Sequence, residues 1–459
     1  MKNSIKQVYF IGIGGIGMSA LARYFRHKGL AVAGYDRMPT ELIQSLASEG
    51  MIIHHTDNPD LIPSDFRNPA TTLVIYTPAV PDDHRELQYF RFNGFTVKKR
   101  AEVLGEITAR QKTIAIAGTH GKTTTTCLTA HILKQSPYGC NAFMGGIAKN
   151  YDANLLLDKN SEYTVVEADE YDRSFLHLSP LYVIATSMDA EHLDIYGTHE
   201  AMINAYHEFF KKIRSGGILL HKKGIPLPAK DLAGIQLLSY SPDSAGADCY
   251  PAEIKEKNGY YSYLLHTPSA SVNIQLGIPG FFNMENSVAA ASLALSIGIP
   301  PAIVQQALQS FKGVKRRFDY QLHSEKLTYI DDYAHHPEEI KACILSARKI
   351  FKGRKLTGIF QPHLYSRTKD FYKAFAESLS LLDKVFLLDI YPAREKPIEG
   401  VSSALIYDHI TLKEKVLCSM DELLNKLEKE PLEVLITMGA GNIDKLVQPI
   451  RELLKERIK

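Results

Sequence analysis

Cysteine is scarce and scattered in this 459-residue chain: five residues, at 127, 140, 249, 343 and 418, with no C-x-x-C among them. An odd, widely spaced set points away from a disulfide framework and from a cysteine zinc site, and it fits a reducing compartment. Long hydrophobic runs are also missing. No stretch approaches 18 consecutive apolar residues, so a membrane span is not expected. The opening MKNSIKQVYFIGIGG runs straight into a strand-like segment with no signal-peptide cleavage pattern, and a cytoplasmic protein is expected. Neither sign of charge is in excess: 53 Lys and Arg stand against 51 Asp and Glu, a net charge of +2. Nucleic acid and anionic membrane are therefore not the expected partners. There is no low-complexity tract, no solenoid period and no Gly-x-Ser-x-Gly elbow.

What is present is an ordinary globular composition, 45% hydrophobic and 23% charged, and a length that suggests about three domains. The chain alternates short apolar runs with helical spacing. Residues 8–13, 30–36 and 71–79 read as buried strands of a first unit, and 98–112 has helical character leading into a new strand. Residues 112–135 read as strand, glycine loop and helix, 163–170 and 182–190 as strands ending in polar residues, and 216–280 as β-rich. After GVKRRFDYQ at 313–321, four further strands alternate with helices. The expected class is α/β in three domains, 1–107, 108–315 and 316–459.

Three motifs carry chemistry. Gly12-x-Gly14-x-x-Gly17 lies between a strand and a helix, with Asp36 ending the next strand 19 residues past Gly17. That is a dinucleotide fingerprint, in which glycines let the backbone approach a diphosphate at a helix N-terminus. It does not distinguish NAD from another nucleotide. Gly118-Thr119-His120-Gly121-Lys122-Thr123 follows a strand and opens a helix, the context in which backbone N–H groups and a lysine surround the phosphates of a nucleoside triphosphate and Thr123 supplies a hydroxyl to magnesium. The strict P-loop pattern is not met, because Ile116 stands where it has glycine. Glu167, Asp169, Glu170 and Asp172 end one strand, and Asp189, Glu191, His192 and Asp194 follow the next; carboxylates so placed face bound phosphates and can hold magnesium, or are simply solvated. In Asp331-Asp332-Tyr333-Ala334-His335-His336-Pro337 the pairs suit a metal, a substrate, or a cap on the following helix.

Taken in order, IGIGGIGMSALA, AGTHGKTTTT, VEADEYDRSFL, DAEHLDIYG, GFFNMENSVAAA, GVKRRFDY, DDYAHHPEEI and MGAGNI closely resemble the Mur ligases of bacterial peptidoglycan synthesis, from about residue 8 to about 443. The resemblance implies a Rossmann-like N-terminal domain that binds UDP-N-acetylmuramate, a central P-loop ATPase domain with a mainly parallel sheet, and a Rossmann-like C-terminal domain that presents the amino acid. It implies ATP and Mg2+ as cofactors, UDP-N-acetylmuramate and L-alanine as reactants, an acyl-phosphate intermediate, and a monomer or weak homodimer. By position it implies that Gly118, Thr119, His120, Gly121, Lys122, Thr123, Thr124, Asn283, Asn286 and Arg317 bind ATP. Thr123, Glu167 and His192 then hold the metal; Gly12, Gly14, Gly15, Gly17, Asp36 and Tyr333 bind substrate; and Lys122, His192, His335 and Arg367 serve catalysis.

Two positions depart from the family's patterns. Leu364 stands where the alanine-adding branch often carries an arginine, and His207 stands where several sister ligases carry a carbamylated lysine. Three other functions compete. A family member that couples a preformed tripeptide commonly has Cys-Gly-Thr where this chain has Gly14-Gly15-Ile16. An NAD-dependent oxidoreductase leaves the Gly-Lys-Thr loop unexplained. A non-catalytic nucleotide binder has no use for Lys122, Glu167 and His192 together.

Overall fold

The computed structural model describes residues 5–190, 193–393 and 395–457. The first sheet holds β1 (Gln7–Ile11), β2 (Ala31–Tyr35), β3 (Ile52–His54), β4 (Thr72–Tyr76) and β5 (Thr96–Lys99), all parallel, in the order β3-β2-β1-β4-β5. The strand order reverses between β1 and β4, so a crevice opens beyond their C-terminal ends, where such sheets bind ligands. The glycine loop leaves β1 at that point and starts the helix Ile16–His27. The strands read as continuous apolar runs because both faces are covered. Val8 and Phe10 join Leu21 and Phe25 on one side, and Tyr9 and Ile11 join Phe66 and Phe90 on the other.

On that second face Glu86 is completely buried. It accepts from the Tyr9 hydroxyl at 2.7 Å and the Asn58 amide at 3.2 Å, and lies 3.3 Å from His54 Nε2. Burial pushes its carboxyl up to about 7, against the pull of those two hydrogen bonds. Burial likewise pushes His54 and His84 below the usual histidine value. Glu86 holds its proton more tightly folded than unfolded, so its stabilising contribution is complete below about 4.5 and is lost as pH rises through about 7. The two histidines act in the opposite sense below their free-chain value of 6.5. Glu86→Gln removes only the first effect. Between about pH 5 and pH 8 the variant is expected to gain on wild type by up to about 3 kcal/mol, measured by paired urea titrations. A difference independent of pH would mean that Glu86 is ionised throughout.

The second sheet holds β6 (Lys112–Ala117), β7 (Asn141–Ala148), β8 (Ala153–Leu156), β9 (Tyr163–Ala168), β10 (Tyr182–Ala185), β11 (Ile218–Lys222) and β12 (Gln236–Tyr240). Its order is β12-β11-β10-β6-β9-β7-β8, and only β8 runs antiparallel to its neighbour. A small sheet of β13 (Tyr250–Lys257), β14 (Tyr260–His266) and β15 (Ser271–Gln275) follows, within the span read as β-rich. The first two sheets belong to one compact unit, which runs to residue 255 and includes 262–277 and 283–312. They share an apolar core. Within it, the buried Asn154 of β8 donates to Ile16 O at 2.7 Å and Ser19 Oγ at 2.9 Å, and accepts from Arg23 at 2.7 Å, so the β7–β8 hairpin grips the start of the glycine-loop helix.

The other unit consists of residues 256–261, 278–282 and 313 onward. Its sheet holds β16 (Asp319–His323), β17 (Thr328–Asp332), β18 (Leu356–Phe360), β19 (Lys384–Leu387), β20 (Glu414–Leu417) and β21 (Val434–Met438), in the order β16-β17-β21-β18-β19-β20. Only β16 is antiparallel. The four expected strands are the buried ones; β16 and β20 are half-exposed edges, whose mixed polarity gives no apolar run. Among the described residues no helix is long and apolar enough to cross a membrane.

Candidate active site

The P-loop leaves β6, the strand flanked by β9 and β10 in the middle of the second sheet. Two of its positions require glycine. Gly118 has φ +135 and Gly121, which precedes the helix Lys122–Gln135, has φ +79. A Cβ on Gly118 would lie 2.1 Å from Thr186 Oγ1, and one on Gly121 would lie 2.5 Å from Asn286 Oδ1. The turn after β10 fixes the loop: the Ser187 hydroxyl meets Thr119 Oγ1 at 2.8 Å and accepts from His120 N at 2.9 Å, and Thr186 Oγ1 donates to His120 O at 2.5 Å. Asp189 receives support from the loop through Thr119 Oγ1, which accepts from its amide, and stands 3.6 Å from His120 Nε2.

Lys122 donates to Glu170 Oε1 at 2.7 Å and to Gly118 O at 2.6 Å. Burial opposes its charge, but Glu170, Glu167 and Asp169 outweigh that and hold it protonated well above the ordinary lysine value. Burial pushes the Glu170 carboxyl up, against the attraction of Lys122. The Thr123 hydroxyl donates to both Glu167 carboxylate oxygens, at 3.1 and 3.0 Å. Gly145 on β7 makes room for that carboxylate, since a Cβ there would lie 2.0 Å from Glu167 Oε2. On the other flank Thr125 Oγ1 meets Asn286 Oδ1 at 3.2 Å, and Asn283 and Asn286 are both buried in the helix Phe281–Ser296. Thr124 is buried behind the loop. The structure thus brings Gly118, Gly121, Lys122, Thr123, Glu167 and Asn286 together. His192 and Glu191 lie outside the described residues. Asp169 and Asp172 pair with Arg100 and Lys99.

In the first sheet Gly12 has φ +84, and the Gly14 amide donates to Asp36 Oδ2 at 2.8 Å. The His55 ring nitrogen Nδ1 lies 2.7 Å from Asp36 O, so Asp36 closes onto the glycine loop and is held from behind. A Cβ on Gly14 would meet Ile43 Cδ1 at 2.7 Å and Asp36 Oδ2 at 2.9 Å; one on Gly15 has ordinary contacts only.

In the C-terminal sheet, Tyr333 follows β17. Arg316 and Arg317 each stack on its ring at 5.2 Å, and its amide donates to Arg316 O at 2.7 Å. His335 Nδ1 lies 3.1 Å from Glu339 Oε2, and the His335 and His336 amides both donate to that same oxygen. Glu339 is half-buried, and desolvation opposes its charge, yet His335 and Arg317 hold its carboxyl well below the usual range. Helix capping at DDYAHHP is therefore done by Glu339. The aspartates look elsewhere: Asp332 accepts from Phe318 N and Ala334 N at 2.7 Å, and Asp331 pairs with Arg316 and Thr437. The His335 ring faces His363 at 6.2 Å, and His363 stacks on Tyr391. Arg367 Nη1 is buried without a hydrogen bond to the described residues. Leu364 precedes its helix with φ +73, a strained value for a branched side chain.

Glu170, Gly145, Asn154 and Arg100 are the site neighbours that no motif assigned to a role. Their partners lie 22 to more than 100 positions away in sequence, as for Gly145 with Glu167 and Asn154 with Ile16, so spacing carries no signal for them. Glu170 alone had a signal, as a member of the acidic set.

A loop of P-loop form on the central strand of a mainly parallel sheet, with a hydroxyl and a carboxylate beside its lysine, is the arrangement of nucleoside-triphosphate-using α/β enzymes. Three family models match in succession: "Mur ligase family, catalytic domain" over residues 7–112, "Mur ligase middle domain" over 116–294 and "Mur ligase, glutamate ligase domain" over 316–441. The chain belongs to the Mur ligase family, whose members are ATP-dependent ligases. It is 52% identical to a UDP-N-acetylmuramate–L-alanine ligase of Phocaeicola vulgatus, over 99% of each chain, and 46% identical to one of Flavobacterium johnsoniae, again over 99% of each. Among solved structures it resembles a UDP-N-acetylmuramate-alanine ligase of Thermotoga maritima, with a TM-score of 0.82 and 28% identity over 98% of this chain and 99% of that one. A murein peptide ligase of Psychrobacter arcticus, at 22% identity and TM-score 0.71 over 98% of each chain, shares the fold.

Proposed function

We infer that this chain joins L-alanine to the carboxylate of UDP-N-acetylmuramate with cleavage of ATP to ADP and phosphate, a peptide-adding step of peptidoglycan precursor synthesis. Full-length identity of about half to ligases of that name supports the reaction, and the Lys122–Thr123–Glu167 cluster at the P-loop is the structural observation that carries it. The murein peptide ligase shares only the fold at 22% identity, so the tripeptide reading has weaker support.

The chemistry follows from the poor leaving group of a carboxylate. Its oxygen attacks the γ-phosphorus of ATP, the bond to the β-bridging oxygen breaks, and ADP leaves. The acyl phosphate then offers phosphate as a leaving group. The amino group of alanine, having lost a proton, attacks the carbonyl carbon, and the tetrahedral intermediate collapses to the amide and inorganic phosphate. Lys122 neutralises charge on the transferring phosphoryl group. On this reading Asn283, Asn286 and Arg317 bind the nucleotide, and Thr119, His120 and Thr124 shape the loop. Hard oxygen donors suit magnesium, and Thr123 and Glu167 would hold it, with His192 as the third ligand; when bound, the ion spreads phosphate charge. Tyr333, His335 and Arg367 serve the amino acid and the acyl centre. Residues 1–107 form the UDP-N-acetylmuramate domain, 108–315 the ATP domain and 316–459 the amino-acid domain. The protein works in the cytoplasm, as a monomer or weak homodimer.

The test is phosphate release with ATP, magnesium and UDP-N-acetylmuramate across a panel of amino acids and the tripeptide. Release dependent on alanine is expected. Release only with the tripeptide would transfer the chain to the other branch. At the glycine loop, Gly14→Val is expected to weaken UDP-N-acetylmuramate roughly 10–100-fold, the cost of about one charge-assisted hydrogen bond. Its side chain would collide with Ile43 and Asp36 and displace the amide. Calorimetry checks this; tight NAD binding that UDP-N-acetylmuramate cannot displace would refute the assignment.

A further inference from the structure

Lys99 and Arg100 open the helix Arg100–Thr108, which follows β5. The Arg100 guanidinium lies over the first turn of the glycine-loop helix: a Cβ on Gly17 would stand 3.0 Å from Nη1 and 3.2 Å from Cδ. Its other terminal nitrogen, Nη2, is 3.3 Å from Asp169 Oδ2. Asp169 is the neighbour of Glu170, which holds Lys122. Next to this contact Lys99 donates to Asp172 at 2.8 Å, and Gly105 lies against the His177 carbonyl. The helix is thus seated on the segment after β9. Within that segment Asp172 and Arg173 both adopt left-handed φ, +51 and +55, a costly pair for non-glycine residues that the docked helix holds in place.

Arg100 therefore spans two sites, and its present partner is a weak one. The contact is long, and the Asp169 side chain is 41% exposed, so water screens most of the attraction. A diphosphate carries more charge than one carboxylate, and a guanidinium fork matches phosphate oxygens in two parallel hydrogen bonds. We propose that Arg100 is a ligand of the diphosphate of the bound sugar nucleotide, and that it leaves Asp169 for that diphosphate on binding. This rests on the reading of the glycine loop as the diphosphate seat. Asp169, once released, adds its charge to the field around Lys122, so occupancy of the first sheet is felt at the P-loop.

The experiment is calorimetric titration of UDP-N-acetylmuramate, without ATP, into wild type, Arg100→Ala, Arg100→Lys and Asp169→Asn. Arg100→Ala is expected to weaken binding about 10–100-fold, the loss of one charge-assisted contact, with Arg100→Lys recovering part of it. Asp169→Asn is expected to bind as tightly as wild type or more tightly, because the competitor for Arg100 is gone. A purely structural ion pair predicts equal losses for Arg100→Ala and Asp169→Asn, and that result would overturn the proposal. So would Arg100→Ala binding as tightly as wild type. Wild type that fails to bind UDP-N-acetylmuramate would overturn the reading of the glycine loop, and the proposal with it.

Discussion

Lys122→Ala is expected to lower ligation by about 10²–10³-fold, or roughly 2.7–4 kcal/mol of transition-state stabilisation, the usual loss for one preorganised charge. UDP-N-acetylmuramate affinity is expected to stay within a few-fold of wild type, because the glycine loop that would hold it sits on a different sheet. The ammonium stands at the first turn of the P-loop helix, where phosphates meet free backbone amides. Glu170 and the Gly118 carbonyl both hold the ammonium, and so fix it beside the loop. Removing it leaves Glu170 buried without its cation, and burial already pushes that carboxyl toward protonation. The double variant Lys122→Ala/Glu170→Gln removes the orphan charge. If it remains inactive while its unfolding midpoint is restored, the loss is catalytic. The measurements are a steady-state phosphate assay and titration of the sugar nucleotide on the same proteins. A single variant that keeps more than about a tenth of wild-type turnover, well above that expected loss, would mean that Lys122 does not follow the transferring phosphoryl group.

Glu170→Ala is expected to act on stability first. It removes one partner of a buried ion pair whose side chains are 14% and 0% exposed. Breaking such a pair costs about 3–5 kcal/mol, because the remaining charge has lost its compensation in a poorly solvated site. The loss is expected to be largely reversed by nucleotide. In the variant the triphosphate is the natural partner of Lys122 and no longer competes with a carboxylate, so a non-hydrolysable ATP analogue should bind it more tightly than wild type. At about 100 times its dissociation constant a ligand stabilises by roughly 2.7 kcal/mol, and the gain for the variant should exceed the gain for wild type. Thermal unfolding with and without the analogue reads both effects. Equal nucleotide-induced shifts in the two proteins would show that Glu170 does not compete with phosphate for Lys122.

The parts of this site legible in the sequence are those whose chemistry is contiguous. Gly118, Gly121, Lys122 and Thr123 are neighbours because a phosphate loop is made of successive backbone amides, and two of its dihedrals tolerate only glycine. Gly12, Gly14 and Asp36 were legible for the same reason, and the apolar runs around them marked strands buried on both faces. The DDYAHHP segment was legible as a functional place but not in its roles. Its capping carboxylate, Glu339, lies just beyond the motif, while Asp331 and Asp332 turn toward Arg316, Thr437, Phe318 and Ala334. The four acidic residues at the end of β9 and just beyond it looked alike in sequence. In the structure Glu167 faces Thr123, Glu170 faces Lys122, and Asp169 and Asp172 face Arg100 and Lys99.

The amino-acid order by itself determined that the chain is α/β, where its two glycine loops stand between strand and helix, and which family it resembles. Those are properties of local backbone geometry and of periodic burial, and short stretches of residues encode them. Only the tertiary structure decided which carboxylate serves which cation, that the β7–β8 hairpin grips the glycine-loop helix through Asn154, and that Gly145 yields the space for Glu167. Each of these pairs residues that are far apart in the chain. Their distance depends on strand order and register, which the packing of whole sheets sets and no single segment contains.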